Sequence, residues 1–460
     1  MFDNQLDDTQ KERAVRDAGL RLLLGAWQIT WRFGLALGAT VLPILLADEF
    51  GFVPFDTTLG VLLRVDFIVV VSIVAIALGW FASNRIGDAP HKTSTTGQQD
   101  VGNKMFHTLA FASPRALRLA AKLDDRLYGT QLSRVRTTPP IFITSLARGG
   151  TTAVLNSMHG LPQVATHLYR DMPLITAPML WSKLGGKNRA VARQKRAHGD
   201  GMEIDFDSPE AFDEVLWTLF WPEKYSDDGI QLWDKPDANE EARQEFELHF
   251  KKITLLRRPD SATGEDLKVR YLSKNNANIA RLRLLPDMFP GCDIVVPLRH
   301  PSAHAASLLR QHENFSSLHA EDPFVLRYMR DIGHFEFGAL HRPIFFDDWS
   351  TDGRSPEEPD YWLAYWVAAF KEVESHASDL HILPQDDLRA TPDRTMTRLL
   401  DMLDLEAPGE FSSFFRHTPD QRPSHLFSPS LLKEAEDIYA ALLGHAGRAP
   451  RARLKHDLEQ

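Results

Sequence analysis

The sequence predicts an α/β domain with a parallel central sheet flanked by helices, preceded by an N-terminal helical hairpin. Short apolar runs bounded by Pro or Gly alternate with stretches of helical periodicity, the pattern of a parallel sheet covered by helices. Three of those runs carry a cation at their carboxyl ends, Arg148, Lys274 and Arg299, where open parallel sheets bind their ligands. Two longer apolar runs stand in front of everything else.

Those front runs are "FGLALGATVLPILLA", Phe33 to Ala47, and "FIVVVSIVAIALGWFA", Phe67 to Ala82. A spanning helix needs about 20 apolar residues, which the second run approaches with its upstream "VLLRVD". The first run is shorter and holds Pro43, which membrane helices tolerate. Trp27, Trp31 and Trp80 flank the runs at headgroup level. Lys11, Arg13, Arg16, Arg21 and Arg32 precede the first run, Arg85, Lys92 and Lys104 follow the second, and the connecting "DEFGFVPFDTTLG" carries only acids, with Arg64 and Asp66 of the upstream extension expected at the interface. The positive-inside rule then sets both ends in the cytoplasm. The expectation is a transmembrane hairpin in the inner (cytoplasmic) membrane, with the globular domain facing the cytoplasm; the alternative is a hairpin packed on the domain or lying on the membrane surface. The expected organisation is a hairpin at 1–83, a polar linker at 84–104, a globular domain at 105–445 and a tail at 446–460. No secretory signal is expected, because the first apolar run starts late and no small-residue cleavage site follows it.

Within the domain, "PIFITSL" reads as a buried strand and "TTAVLNSMHGL" as the helix after it. "KVRYLSK" is the next strand, and Asn275 or Asn276 can cap a helix over "NNANIARLRLLPDMF". "CDIVVPL" is a third strand, followed by a helix with Pro301 in its first turn. "LHILPQDDL" reads as a further strand, and Thr391-Pro392 opens a helix. "YWLAYWVAAF" places aromatics at helical spacing for a core. "PDANEEARQEFELHF" reads as a solvated helix or a lid.

Composition narrows the function. Hydrophobic residues make up 43% and charged ones 25%, as in a globular protein. The net charge of −10 argues against a general nucleic-acid binder. A single cysteine, Cys292, excludes a disulfide framework and a Cys-based zinc site, and reads as a small buried hydrophobe. His300 and His304 are four apart, but Pro301 intervenes and no HExxH frame exists, so no metal is expected.

The chemistry concentrates in "SLARGGTT". Gly149 and Gly150 let the backbone curl around an anion, the N–H groups of Gly150, Thr151 and Thr152 open a helix toward it, and Arg148 supplies charge. A P-loop NTPase wants Lys after the last glycine, and here Thr151 follows Gly150. In "LRHPSAHAAS", Arg299 ends a strand and Ser307 sits two turns into the next helix, so a guanidinium and a hydroxyl can converge on one phosphate. Lys274 ends an apolar strand, where a cation is expected to point into a site.

Together these features resemble the PAPS-dependent sulfotransferases, over about residues 105 to 430, and look most like bacterial members with "YRDMP" and "YLSKNN". The resemblance implies a P-loop-like sulfotransferase fold and PAPS as co-substrate. It implies that Arg148, Gly149, Gly150, Thr151 and Thr152 bind the 5′-phosphosulfate, that Arg299 and Ser307 grip the 3′-phosphate, and that Lys274 stabilises the departing bridging oxygen. Gly149 departs from the Ser usual in the superfamily, which puts any role of that hydroxyl in doubt. For the acceptor's general base, "THLYRDMP" offers Asp171, with Arg170 beside it, and then His167. Asp200, Glu203 and Asp205 are a third group, expected to line the acceptor site. The acceptor is expected to be a small-molecule, glycan or lipid-linked hydroxyl or amine. Two alternatives remain, a P-loop kinase or NTPase and a non-catalytic membrane scaffold. The first lacks its Lys, and the second predicts loss of Arg148, Lys274 and Arg299, all present.

Overall fold

The computed structural model describes residues 113–450 except 185–193, 196–202, 205–207, 211, 260–267 and 407–408, together with Gly60, His107 and Phe111. From His107 onward these belong to one compact unit, Phe81–Gln460. Apart from Gly60, the hairpin expected at 1–83 and the linker at 84–104 lie outside the described residues, as does the tail beyond 450. Among the described residues, no helix is long and apolar enough to cross a membrane.

Helix α1 (Pro114–Leu132) opens with Pro114 in its first turn and Ser113 as its cap, the hydroxyl accepting from the Arg115 N–H. Strand β1 (Ile141–Ile143) leads through the glycine turn into α2 (Thr151–Met158). Then come β2 (Val164–Ala165), α3 (Pro178–Leu184), a small antiparallel pair β3 (Gln194–Lys195) and β4 (Glu203–Ile204), and α4 (Glu214–Phe220). Helix α5 (Glu240–Arg257) precedes β5 (Arg270–Lys274), and the short α6 (Leu285–Met288) precedes β6 (Asp293–Leu298). Helices α7 (Pro301–Glu321), α8 (Pro323–Asp331) and α9 (Pro359–Ser375) follow. Strand β7 (His381–Pro384), α10 (Gln385–Ala390), α11 (Pro392–Met402) and α12 (Pro429–Leu443) complete the order.

The five main strands run β2-β5-β1-β6-β7, each pair parallel. Strand side chains alternate between two cores, as the two-residue period demands. Ile141, Ile143, Leu272 and Val295 face Val154, Leu155, Met158 and the buried side of α11. Phe142, Tyr271, Ile294 and Val296 face the larger core, with Phe246, Phe250 and the α9 aromatics Trp362 and Trp366. The sheet is covered on both faces, which is why its strands read as apolar runs rather than alternating ones.

Three sequence expectations change here. "PDANEEARQEFELHF" is no lid: α5 buries Ala242, Phe246, His249, Phe250 and Ile253 under its charged outer face. The helix expected over "NNANIARLRLLPDMF" splits into a 3₁₀ turn at Asn276–Arg281, capped by Asn275, and α6, which restarts at Leu285 with Pro286 in its first turn. "LHILPQDDL" leaves the sheet after Pro384, and Gln385 already begins α10. Cys292 lies partly buried against the larger core, its thiol pushed up to about 12 by burial.

Candidate active site

The turn after β1 is shaped by two left-handed residues, Arg148 at φ 67° and Gly150 at φ 104°. Such a conformation costs a non-glycine residue roughly 1–2 kcal/mol, and residues held there cluster at functional sites. Gly149 is required by crowding: a Cβ there would lie 2.6 Å from Ser145 Oγ and 2.9 Å from the Leu146 carbonyl. This gives a physical reason for the departure from Ser, since the back of this turn has no room for a side chain. From below, His304 Nε2 donates to the Ala147 carbonyl at 2.8 Å while Nδ1 accepts from Trp366 Nε1 at 3.2 Å. Both bonds are satisfied by the neutral Nε2–H tautomer, and burial lowers the His304 pKa to about 3.

The second grip is physically joined to the first. Arg148 Nε donates to Ser307 Oγ at 3.4 Å, and Arg299 Nη1 donates to the Arg148 carbonyl at 3.0 Å. Arg299 also makes a two-point contact with Asp420, Nε to Oδ2 at 2.5 Å and Nη2 to Oδ1 at 2.8 Å. Burial alone would raise the Asp420 pKa, but the Arg299 bonds outweigh it and hold the carboxyl below its ordinary value.

Lys274 ends β5 in a buried position, its Nζ 3.6 Å from Glu210 Oε1. Glu210 in turn accepts from the Tyr169 hydroxyl at 2.6 Å. The next residue, Asn275, donates to Glu214, which forms a fully buried pair with Arg281 at 2.8 and 2.9 Å. Arg281 lies 4.3 Å from the ring centres of both Trp217 and Trp233. Burial pushes the Glu214 pKa up, but Arg281 more than offsets it and the carboxyl ends lower than usual. The end of β5 is therefore anchored by a buried ion pair.

Beyond the carboxyl ends of β1, β5, β6 and β7 opens a cavity of about 860 Å³. Its wall brings together Arg148, Gly150, Thr151, Thr152, Lys274, Arg299 and Ser307; Gly149 alone of the expected set shapes the turn from behind. Sequence reasoning missed Arg310, Arg389, Asp420, Asn276 and Glu336 on the same wall. Asn276 Oδ1 accepts from Thr151 Oγ1 at 3.0 Å, and its Nδ2 donates to Glu336 Oε1 at 3.2 Å. The "YLSKNN" signature held the one available hint, two amides directly after Lys274.

Asp171 and His167 are placed differently from the sequence expectation. Both are buried, at 4% and 1% exposure, and neither lines the cavity. The guanidinium on Asp171 comes from Arg257 of α5, which meets both carboxylate oxygens. Asp171 Oδ2 also accepts from the Leu168 N–H at 2.9 Å and lies 3.0 Å from His167 Nδ1. Burial would raise the Asp171 pKa, but His167 and Arg257 outweigh it and lower it. A carboxylate so engaged is a poor proton acceptor. His167 Nε2 is 2.7 Å from His249 Nε2, and burial holds the His249 pKa well below its ordinary value. His167, His249 and Asp213 offer metal-ligating atoms within 4.8 Å of one another, yet these groups already engage each other, Tyr271 and Ser273. Asp200 and Asp205 lie outside the described residues, and only the backbone of Glu203, in β4, is described.

Comparison with known proteins agrees with this geometry. The family model described as "Sulfotransferase family" matches residues 139–336. That span runs from the residues just before β1 through the glycine turn, Lys274, Arg299 and Ser307 to Glu336. No curated protein sequence matches the chain. A solved sulfotransferase from Mycobacterium tuberculosis H37Rv is 15% identical, covering 84% of this chain and 99% of its own, with a TM-score of 0.41. One from Mycobacterium avium is 11% identical, covering 79% and 89%, with a TM-score of 0.35. The sulfotransferase domain of the curacin biosynthetic pathway is 13% identical, covering 67% and 99%, with a TM-score of 0.29. Structural likenesses this distant carry no weight here; the family match does, and over residues 139–336, which hold β1, the glycine turn, Lys274, Arg299 and Ser307, this chain is similar to the sulfotransferase family.

Proposed function

We propose that the chain moves a sulfuryl group from PAPS to a hydroxyl or amine acceptor, without a metal. The observation that carries this reading is the convergence of Arg148, the turn amides, Lys274, Arg299 and Ser307 on one cavity. In the reaction the acceptor oxygen bonds to sulfur as the bridge to the 5′-phosphate breaks. The acceptor loses a proton, and the bridging electron pair leaves with adenosine 3′,5′-bisphosphate. Such transfers need in-line positioning and neutralisation of charge on the leaving phosphate. The N–H groups of Gly150, Thr151 and Thr152, with Arg148, would hold the 5′-phosphate. Lys274 would meet the bridging oxygen, held in place by Glu210. Arg299 and Ser307 would take the 3′-phosphate.

For the base we turn from Asp171 and His167 to Glu336. The described carboxylates on the cavity wall are Asp420, held by Arg299, and Glu336, which accepts a bond from the neutral Asn276 amide. Through Asn276, Glu336 is two hydrogen bonds from Thr151 at the sulfuryl end. His167 keeps a positioning role, since its carbonyl accepts from the Glu210 N–H at 3.3 Å behind Lys274. We further propose an N-terminal membrane hairpin with the domain on the cytoplasmic side, which favours a membrane-proximal acceptor such as a lipid-linked molecule or glycan.

The test is calorimetry of the full chain with adenosine 3′,5′-bisphosphate and, separately, with Mg-ATP. Tight bisphosphate binding that weakens in Arg299→Ala and Ser307→Ala is expected. A folded chain that ignores the bisphosphate, or prefers Mg-ATP, overturns the reading.

A further inference from the structure

Helix α1 carries a feature that sulfuryl transfer does not use. Leu119, Leu123 and Leu127 are 48%, 43% and 57% exposed, half of the six large hydrophobics this exposed among the described residues. They recur every four residues, so they form one stripe along the outer face of the helix. The opposite face is anchored: Leu117, Asp124 and Leu132 are buried, and Ala116, in the first turn on the stripe's own side, is buried as well.

The charges on α1 are sorted in the same way. Its two acids, Asp124 and Asp125, turn inward to the buried Lys252 of α5, at 3.5 and 2.7 Å. Asp124 Oδ1 also accepts from the Leu180 N–H at 2.7 Å. Arg115, Lys122 and Arg126 are exposed. At about 100° per residue they project within roughly 60° of Leu119, on the side away from Leu127. Arg118 bends back, donating to the Leu219 carbonyl and lying 5.1 Å from the Phe220 ring centre. Glu245 of α5 interacts with both Lys122 and Asp125, offsetting part of the positive charge. The result is a leucine stripe with a basic border on a chain whose net charge is −10.

We propose that this face of α1 docks on an anionic lipid surface, the leucines entering the headgroup boundary and Arg115, Lys122 and Arg126 meeting the phosphates. A leucine stripe with a Lys/Arg border is the composition of interfacial helices, and basic residues at such a surface attract anionic lipid. A second copy of the chain fits less well, because a symmetric pairing would bring basic borders together. Docking here is a separate matter from both the sulfuryl chemistry and the apolar runs at 33–47 and 67–82, and it would fix which way the domain faces the bilayer.

The test places an NBD dye on Leu123→Cys in a Cys292→Ser background of the full chain. The vesicles are phosphatidylcholine alone, or with roughly a third phosphatidylglycerol. A second dye, on Glu436→Cys of α12, is the control. On anionic vesicles the Leu123 dye is expected to shift blue, reversibly with salt, while the Glu436 dye stays put. Neutralising Lys122→Gln and Arg126→Gln should lower the docked-to-free ratio by about fivefold for each residue. Equal shifts on the two vesicle types, or at the two dye positions, overturn the proposal. So does a shift without lipid that accompanies a dimer in light scattering, because a second copy then covers the stripe. Hydrogen exchange of the unsubstituted chain over residues 114–132 supplies the same answer if the labelled variant fails to fold. Slower exchange on anionic than on neutral vesicles supports docking, and equal exchange refutes it.

Discussion

Asp420→Asn should make the protein bind adenosine 3′,5′-bisphosphate more tightly. Asp420 occupies the Nε/Nη2 edge of Arg299, at 2.5 and 2.8 Å, in the place proposed for the ligand's 3′-phosphate. Each side chain is only 12% exposed, so the pair is little screened by water. A hydrogen bond to a charged group is worth about 1.5–3 kcal/mol net, and two must be exchanged before the phosphate can take the guanidinium. Asparagine keeps the size but loses the charge and one acceptor. A gain of about 1.5 kcal/mol, roughly tenfold in Kd, is therefore expected. The assay is calorimetry of both proteins at matched ionic strength. Because Arg299 holds the Asp420 carboxyl below the usual range, Asp420 stays ionised from about pH 8 to pH 5, and the ratio of the two affinities should stay constant across that span. Equal or weaker binding by Asp420→Asn would refute the competition and make Asp420 part of the ligand site.

Three further outcomes follow from the same contacts. Burial lowers the pKa of both His304 and His341 to about 3, so each is neutral when folded and gains a proton on unfolding below about pH 6.5. Their contribution is complete above that value and is lost as pH falls, by about 1 kcal/mol for each residue between pH 7 and 5.5. Thermal unfolding should drop by several degrees over that interval, and a flat Tm would contradict the assignment. Glu214→Gln should cost about 3–5 kcal/mol in a denaturant titration, because it leaves Arg281 charged and buried; a loss below about 1 kcal/mol would show that the pair anchors nothing. Gly149→Ala should cost about 1–3 kcal/mol by overpacking against Ser145, and Ser145→Ala in the same chain should restore part of it; a neutral Gly149→Ala would mean the turn has slack.

That Arg148, Thr151, Thr152, Arg299 and Ser307 share one cavity is legible in the sequence because their placement is local. The glycine turn joins a strand to a helix within a dozen residues, and Arg299 and Ser307 share one strand–helix unit. The strand runs were legible because both faces of the sheet are covered. The rest depends on contacts between distant segments. Asp171 carries no mark in the sequence that its partner is Arg257, 86 residues away, and Asp420 reaches Arg299 across 121 residues. Glu336 reaches the cavity from a segment 60 residues beyond Asn276, which donates to it. The helix of α5 is legible in its sequence, but its depth of burial is not, because its glutamates dominate the composition while Phe246, Phe250 and Ile253 sit at the spacing that turns inward. The break after Asn275 was hidden because the apolar spacing is helical while the backbone bonds are 3₁₀.

The Arg148–Ser307 and Arg299–Arg148 bonds have a bearing on how substitution data should be interpreted. The ligand proposed here, with phosphates at both ends, would be gripped by one linked scaffold, so the two grips would be thermodynamically coupled. Removing Arg299 also takes a donor from the carbonyl of a residue held at φ 67°, and so loosens the 5′ end of the site. Single alanine losses at Arg148, Arg299 and Ser307 should therefore sum to more than the loss in the triple variant, and double-mutant cycles would separate the shares.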